Sequence, residues 1–487
     1  MKIVLKRLIK LTKIADQASL NMPKAIPVPP AKTTHTIFAL FEDDVAALAV
    51  ALKPAQAAFL TARAFAGKAG SLVVLPNDDG TLSAWFGLGA RKAYNPLSFR
   101  GLPGQLPKGT WGLHIDAALD LHAIHVAWAL GAYSFTRYKQ TPKPIEAVLD
   151  DSGLDKAERA AIAAEAAAHA LARDLVNTPA NDMGPAEIEA EARKIAEAYG
   201  AAITVIVGDD LLAANYPAVH AVGRAAAPGR EPRFIEISWD APGAPEAPVV
   251  ALVGKGVAFD TGGLDIKPSA GMGLMKKDMG GAAHALALAQ WIMETRLEVR
   301  LRVLVPAVEN AISGGAMRPS DILASRAGLT LEVGNTDAEG RLILADALTR
   351  AGELEPQLTL DFATLTGAAR VALGPEVVPF YSDDEDIVRR LEVSSIARQD
   401  PLWRMPLWAG YRDAIDSDIA DLRNDPAGWA QAGSVTAALF LQRFAPKSGA
   451  WVHFDLYAWN PRGRTGWPVG AEAQTLRAVY GLIKDFV

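Results

Sequence analysis

The chain has 487 residues, half of them apolar and 21% charged, with a net charge of −6 and a pI near 5.8. That length exceeds one simple core, so two domains are expected, and the acidic balance gives no general electrostatic reason to bind nucleic acid or anionic membrane. The absence of cysteine excludes disulfides, thiolate metal sites, iron–sulfur clusters and cysteine nucleophiles, leaving oxygen and nitrogen ligands for any metal.

Residues 1–15 are basic and amphipathic, but their longest apolar run, Ile3–Leu5, falls short of the ~7–15 residues of a signal peptide. A surface-lying helix, a loose tail, or a start placed upstream of a true one at Met22 are the readings that remain. No apolar run approaches the ~20 residues of a membrane helix. The Pro-rich stretch 22–32 reads as an exposed linker, so residues 1–35 are assigned to tail and linker.

A small α/β domain is expected over 36–150. Thr36–Phe41, Ser71–Leu75 and Leu82–Phe86 read as strands and Ala117–Ala132 as a helix. His122 and His125 sit three apart on that helix, a spacing that could bind a metal. No carboxylate at suitable spacing accompanies them, so a structural role is the expectation. Asp155–Val176 is alanine-rich with acidic first turns, the pattern of a strong helix; residues 151–176 are read as the connection to a large domain, 177–487. The helix stops at 177–185, where two prolines and a glycine intervene, and Ala186–Tyr199 follows as a second helix.

Beyond it, strand-like runs at Ala202–Val207, Ala218–Val222, Phe234–Ser238, Val249–Val253, Leu301–Val305 and Leu358–Leu365 alternate with helix patterns at Gly281–Glu294, Gly340–Ala351, Val435–Phe444 and Ala471–Ile483. Pro242–Pro248 reads as a surface loop. The alternation predicts an α/β fold: a central, mostly parallel or mixed sheet flanked by helices.

The segment 249–283 opens as a continuous apolar run, the mark of a strand buried on both faces. It then breaks into glycines and isolated charges: Lys255, Asp260, Lys267 and Asp278. Gly254-Lys-Gly256 lacks the spacing and hydroxyl of a phosphate loop, and Gly271-x-Gly273 lacks the last glycine of a dinucleotide fingerprint. A second cluster, Asn335-Thr-Asp-Ala-Glu-Gly-Arg341, would put Asp337, Glu339 and Arg341 on one face if extended; the plain alternative is that its carboxylates satisfy the N-terminus of helix 340–351. Taken together, four carboxylates (Asp260, Asp278, Asp337, Glu339) are costly to gather unless cations neutralise them. Oxygen-rich sites suit Mg²⁺, Mn²⁺ or Zn²⁺, and shared carboxylates build two adjacent metals. A neutral Lys255 could ligate, and a charged Lys267 could polarise a carbonyl.

Val253-Gly-Lys-Gly-Val-Ala-Phe-Asp-Thr-Gly-Gly263, Lys267-Pro-Ser269, Met275-Lys-Lys-Asp-Met-Gly-Gly-Ala-Ala283 and Asn335-Thr-Asp-Ala-Glu-Gly-Arg-Leu342 resemble the leucine aminopeptidase family of dinuclear metallopeptidases. Three further blocks, 173–181, 361–369 and 401–407, extend the likeness from about residue 150 onward. The resemblance implies a metal-dependent aminopeptidase that removes the N-terminal residue from peptides with a free amine, using a hydroxide that bridges two divalent ions, Mn²⁺ or Zn²⁺. It implies Asp260 and Glu339 as ligands touching both metals, Lys255 and Asp278 completing one site and Asp337 the other. Lys267 would stabilise the tetrahedral intermediate, Arg341 would hold a bicarbonate ion as general base, and Met275 and Thr364 match positions that line the substrate pocket. A cytoplasmic homohexamer acting on peptides, without membrane or nucleic-acid partners, is what the family leads one to expect. The alternatives are a DNA-binding or architectural role, known for some members, and two-metal phosphoryl transfer, which would leave the lysine pair unexplained. The sequence departs from the family at Thr261, where serine is common, and in Trp451–Asn460, which is bulkier and more aromatic than usual and puts leucine preference in doubt.

Overall fold

A computed structural model describes residues 35–45, 52–426 and 428–487. The readings made for 1–32 lie outside these residues. A first sheet holds β1 (His35–Phe41), β2 (Leu72–Pro76), β3 (Leu82–Gly89), β4 (Gly109–His114) and β5 (Ala147–Leu149) in the order β2–β3–β1–β4–β5. Helices α1 (Pro54–Ala62) and α2 (Leu121–Ala132) belong to this region. The second helix starts at Leu121, not Ala117, because the Asp120 side chain accepts the Ala123 N–H and fixes the first turn there.

Helix α3 (Lys156–Asn177) joins the two halves and opens with a capping box between Asp155 and Glu158. The halves are also clasped by a buried ion pair. Arg100 donates to both oxygens of Glu472 at 2.8 Å and to the Gly466 carbonyl at 2.7 Å. On α3, Arg173 donates to Leu130 O on one side and Ala471 O on the other.

The large sheet contains β6 (Ala202–Val207), β7 (Arg233–Asp240), β8 (Val249–Gly254), β9 (Gly256–Asp260), β10 (Arg300–Asn310), β13 (Leu358–Ala363), β14 (Val378–Tyr381), β15 (Leu402–Arg404) and β17 (Ala450–Asp455). The short strands β11 (Ile322–Ala324), β12 (Thr330–Glu332) and β16 (Leu422–Arg423) form a separate sheet. The large order is β15–β14–β17–β13–β8–β10–β7–β6, with β9 added to the end of β10. Its centre, β17–β13–β8–β10, is parallel, while β7 and β14 pair antiparallel at the flanks. Every residue of β8 is buried, as its unbroken apolar run requires when both faces are covered. One face packs on α3, on α4 (Pro185–Tyr199), α6 (Gly280–Thr295), α9 (Glu385–Ala397) and α11 (Leu476–Phe486). The other packs on α5 (Pro217–Gly223), α7 (Glu339–Gly352) and α10 (Gly433–Gln442).

Two expectations are corrected here. Ala218–Val222 is not a strand but the body of α5, with Pro217 in its first turn. The buried Asp346 carboxylate accepts the N–H groups of Ala218 and Val219, a tertiary cap that a five-residue apolar run cannot reveal. The last helix begins at Leu476 rather than Ala471. Gly470–Ala471 is held extended, pairing with Trp459–Asn460, and the Asn177 side chain takes the Ala471 N–H.

Candidate metal centre

The polar groups collect where an open parallel sheet offers a crevice, beyond the carboxyl ends of its central strands. Lys255 leaves the end of β8, and its N–H donates to Phe362 O on β13. Helix α6 must approach this crossing closely: a β-carbon at Gly281 would lie 2.0 Å from the Phe362 carbonyl oxygen, so only glycine fits. Asp260 ends β9, where register sets it opposite Asn310. The Asn310 amide donates to Asp260 at 2.8 Å and to Thr336 O at 3.0 Å, tying the first cluster to the second.

Asp337 and Glu339 are not on one extended face as expected. Asn335–Ala338 forms a turn, and Glu339 is the first residue of α7. Neither carboxylate caps that helix, whose N-cap is Ala338 without a side-chain bond. The turn is held instead by Asn424. Its amide donates to Asn335 O and Ala338 O, its side-chain oxygen accepts from Gly334 and Asn335, and its carbonyl accepts from Arg341. Thr336 and Asp265 hold each other through three hydrogen bonds, fixing the loop that carries Lys267.

The seven expected metal and catalytic residues converge as six around one point, with Arg341 beside them. Lys255 Nζ lies 2.8 Å from Asp278, 2.9 Å from Glu339 and 3.1 Å from Thr364 O. Lys267 Nζ lies 2.7 Å from Asp260 and 2.5 Å from Asp337. Oxygens of Asp260, Asp337 and Glu339 all fall within 4.8 Å of one another. Thr364 donates to Asp278 at 2.8 Å. Met275 opens the single turn 275–279 that presents Asp278.

Charge is in deficit. Burial opposes the charged form of Lys255, but Asp278, Glu339 and Asp260 outweigh it and hold the ammonium well above the usual lysine range. Lys267 is raised in the same way by Asp260 and Asp337 against its own burial. The carboxylates nonetheless cling to protons: burial, then the charge of Asp260, pushes Glu339 up to about 8 and Asp337 up to about 6, and burial raises Asp278. The two ammonium groups that pair directly with these four carboxylates leave part of their charge unmatched by any direct ion pair. Moreover Asp278 Oδ2, Asp337 Oδ1 and Glu339 Oε1 are buried and accept no hydrogen bond of acceptable geometry, although lysine nitrogens are within 2.9 Å. Oxygen donors so placed fit divalent cations, whose bonds are not bound by hydrogen-bond angles.

Reasoning from sequence missed Asn310 and Asn424, because neither belongs to a charged cluster, and it missed Lys277. Lys277 is buried next to Asp278, yet no carboxylate or hydrogen-bond acceptor reaches its ammonium among the described residues. It faces the Tyr457 ring at 5.0 Å. Such a contact contributes about 0.5–2 kcal/mol. Burial accordingly draws it down to about 8.

The His122–His125 pair belongs to no metal-binding set among the described residues. His122 Nε2 lies 3.6 Å from Glu165, and His122 lines a cavity of about 470 Å³ between the two halves that Asp260, Asp278, Asp337 and Glu339 do not line. No described helix is long and apolar enough to cross a membrane.

Comparison with known proteins agrees with this site. Residues 170–480 match the cytosol aminopeptidase family catalytic domain, and 36–149 match the M17 aminopeptidase N-terminal domain. A probable cytosol aminopeptidase of Syntrophotalea carbinolica is 41% identical over 369 residues, 73% of each chain. The crystal structure of a cytosol aminopeptidase from Coxiella burnetii superposes with a TM-score of 0.88 at 40% identity, covering 94% of this chain and 98% of that one. The bottromycin maturation enzyme BotP, solved in complex with Mn, gives 0.83 at 30% identity over 93% of this chain and all of its own. This chain belongs to the M17 cytosol aminopeptidase family, and its enzymatic class is that of the metal-dependent aminopeptidases.

Proposed function

We propose that the chain removes N-terminal residues from peptides with a free amine, using two divalent ions held by Asp260, Glu339, Asp278, Asp337 and Lys255, the last as the free amine left once the ions' charge replaces its proton. The observation that carries this reading is the set of buried oxygens on Asp278, Asp337 and Glu339 that accept no hydrogen bond of acceptable geometry, with Asp337 and Glu339 gathered together with Asp260 within 4.8 Å. Two such ions supply Lewis acidity, polarising the scissile carbonyl and lowering the pKa of water. They are Mn²⁺ or Zn²⁺; the BotP complex with Mn supports the former.

The chain's own groups do the rest. Lys267, at the rim of the cluster and only partly buried, directs its ammonium to the oxygen on which charge develops as the carbonyl becomes tetrahedral. Arg341 Nε is buried without an acceptor while Nη1 is spent on Asn424 O. That orphaned donor suits a small planar anion, and bicarbonate held there would take the proton from the attacking water. Thr364 and Met275 flank Asp278 and line the substrate side chain. Assembly as a cytoplasmic homohexamer completes the proposal. The DNA-binding alternative has no observation in its favour.

Stripping the protein with a chelator should abolish hydrolysis of amino-acid p-nitroanilides, and Mn²⁺ or Zn²⁺ should restore it. Lys267→Ala and Asp337→Ala should each lower kcat/KM by about 10²-fold or more. Full activity in both variants would sink the assignment.

A further inference from the structure

Lys277 takes no part in the chemistry above, yet it is buried at the site without an anionic partner among the described residues. Arg370, exposed on helix α8 (Gly367–Leu373), also lacks a carboxylate partner among them, and its guanidinium lies 5.2 Å from the centroid of the same Tyr457 ring that Lys277 faces. Two cations therefore gather on one phenol, neither of them in an ion pair among the described residues; the nearby carboxylates of Asp278 and Asp455 act on Lys277 only through their charge.

This group adjoins the reacting centre. Lys277 precedes the carboxylate Asp278, to which Thr364 donates. Ala458, next to Tyr457, packs so closely on Gly280 that a β-carbon there would lie 2.7 Å from Ala458 Cβ and 2.8 Å from Thr364 Cγ2. Helix α8, which carries Arg370, follows the Thr364–Thr366 loop and is capped by Thr366. That loop is pinned by Asp455, which accepts from Leu365, Thr366 and Ser434 and so has its oxygens committed. Tyr457 belongs to the bulky Trp451–Asn460 block, so the departure from the family pattern brings an aromatic wall with cations around it.

We propose that Lys277 and Arg370, gathered on the Tyr457 ring, form the pocket for the substrate's first side chain and select peptides whose N-terminal residue is aspartate or glutamate. The carboxylate of such a residue accepts charge-assisted hydrogen bonds from ammonium and guanidinium. A leucine side chain leaves Lys277 uncompensated, so the same cations that attract the acidic residue work against the apolar one. The inference rests on the aminopeptidase reading and names its substrate class.

The test compares kcat/KM of the Mn²⁺-reconstituted enzyme on Asp, Asn, Glu, Leu, Ala and Gly aminoacyl p-nitroanilides. The Asp-to-Asn and Asp-to-Leu ratios are expected to exceed ten. Lys277→Met should bring both at least tenfold closer to the apolar side, and Arg370→Gln, an exposed change with little bearing on folding, should lower them several-fold. An Asp-to-Asn ratio near one in the wild type, or ratios unmoved in both variants, overturns the proposal. A preference for Gly and Ala overturns it too, and makes Tyr457 a space-filling wall. If no substrate is cleaved although both ions are bound, the aminopeptidase reading itself fails and takes this inference with it.

Discussion

The Lys255 side chain runs directly against Gly340: a β-carbon at that position would stand 2.6 Å from Cε and 2.7 Å from Nζ. The glycine is thus part of the lysine's channel between Asp278 and Glu339. Because the clash involves the end of a flexible side chain, Gly340→Ala should spare the fold, and alanine's helix propensity favours α7 by up to ~1 kcal/mol. The displaced lysine should still cost about 100-fold in kcat/KM. Steady-state kinetics beside a thermal melt separate the two effects; unchanged activity would mean that Lys255 has no fixed place in the reaction.

Asn424 should act on metal binding without touching a ligand. Asn424→Ala removes both donors to the Asn335–Ala338 turn and the acceptor for Gly334 and Asn335. A loss of about 10–100-fold in Mn²⁺ affinity is expected, read by calorimetric titration of the chelated protein. Affinity equal to wild type would show the turn to be self-supporting.

Asp346 predicts the opposite pattern, a loss of stability with catalysis per folded molecule intact. Its carboxylate accepts N–H groups from Ala218, Val219 and Arg326, and Asp346→Ala leaves two buried donors and one half-buried donor unmet, at a cost of ~2–4 kcal/mol. Urea denaturation measures the cost, and activity normalised to folded protein checks the second half.

His284 gives a pH dependence with a definite sign. Nδ1 donates to Gly280 O at 2.6 Å and Nε2 accepts from Gln474 N at 3.0 Å, so the neutral ring is fully satisfied. Burial pushes its pKa down to about 4. The unfolded chain takes up this proton near pH 6.5 and the folded one does not, so stability is present above pH 6.5 and is lost as pH falls toward 4. Between pH 7 and 5 the loss is about 2 kcal/mol. His284→Gln should flatten that part of the urea-midpoint profile; an unchanged slope would reassign the dependence to another group.

The sequence was informative where residue type and spacing were unusual together. The continuous run in β8 predicts a doubly covered strand, and the carboxylate clusters at 255–278 and 335–341 predict one site, because no apolar fold gathers such charges without neutralisation. What stayed hidden depends on partners distant along the chain. Asn424 reaches the Asn335 turn across 89 residues, and Asp346 makes a helix of Ala218–Val222 from 128 residues away. The extended geometry expected for Asp337–Arg341 failed for a related reason: the carboxylates converge through a turn whose shape is set by Asn424. Strands β14 and β17 were missed although buried, because short apolar runs do not announce their neighbours.

The Arg100–Glu472 pair has a consequence for dissecting the protein. Glu472 donates its backbone N–H to Ala458 O, so the carboxylate clasped by the first half sits one hydrogen bond from the residue beside Tyr457. A fragment that begins after residue 150 would leave Glu472, partly buried against Arg100 in the intact chain, without its ion-pair partner on a newly exposed face. Once wetted, that carboxylate has no reason to keep its place. If the proposed pocket at Tyr457 is right, the first half is a remote brace for it, and a truncated protein is expected to keep its metal affinity while losing its preference among N-terminal residues.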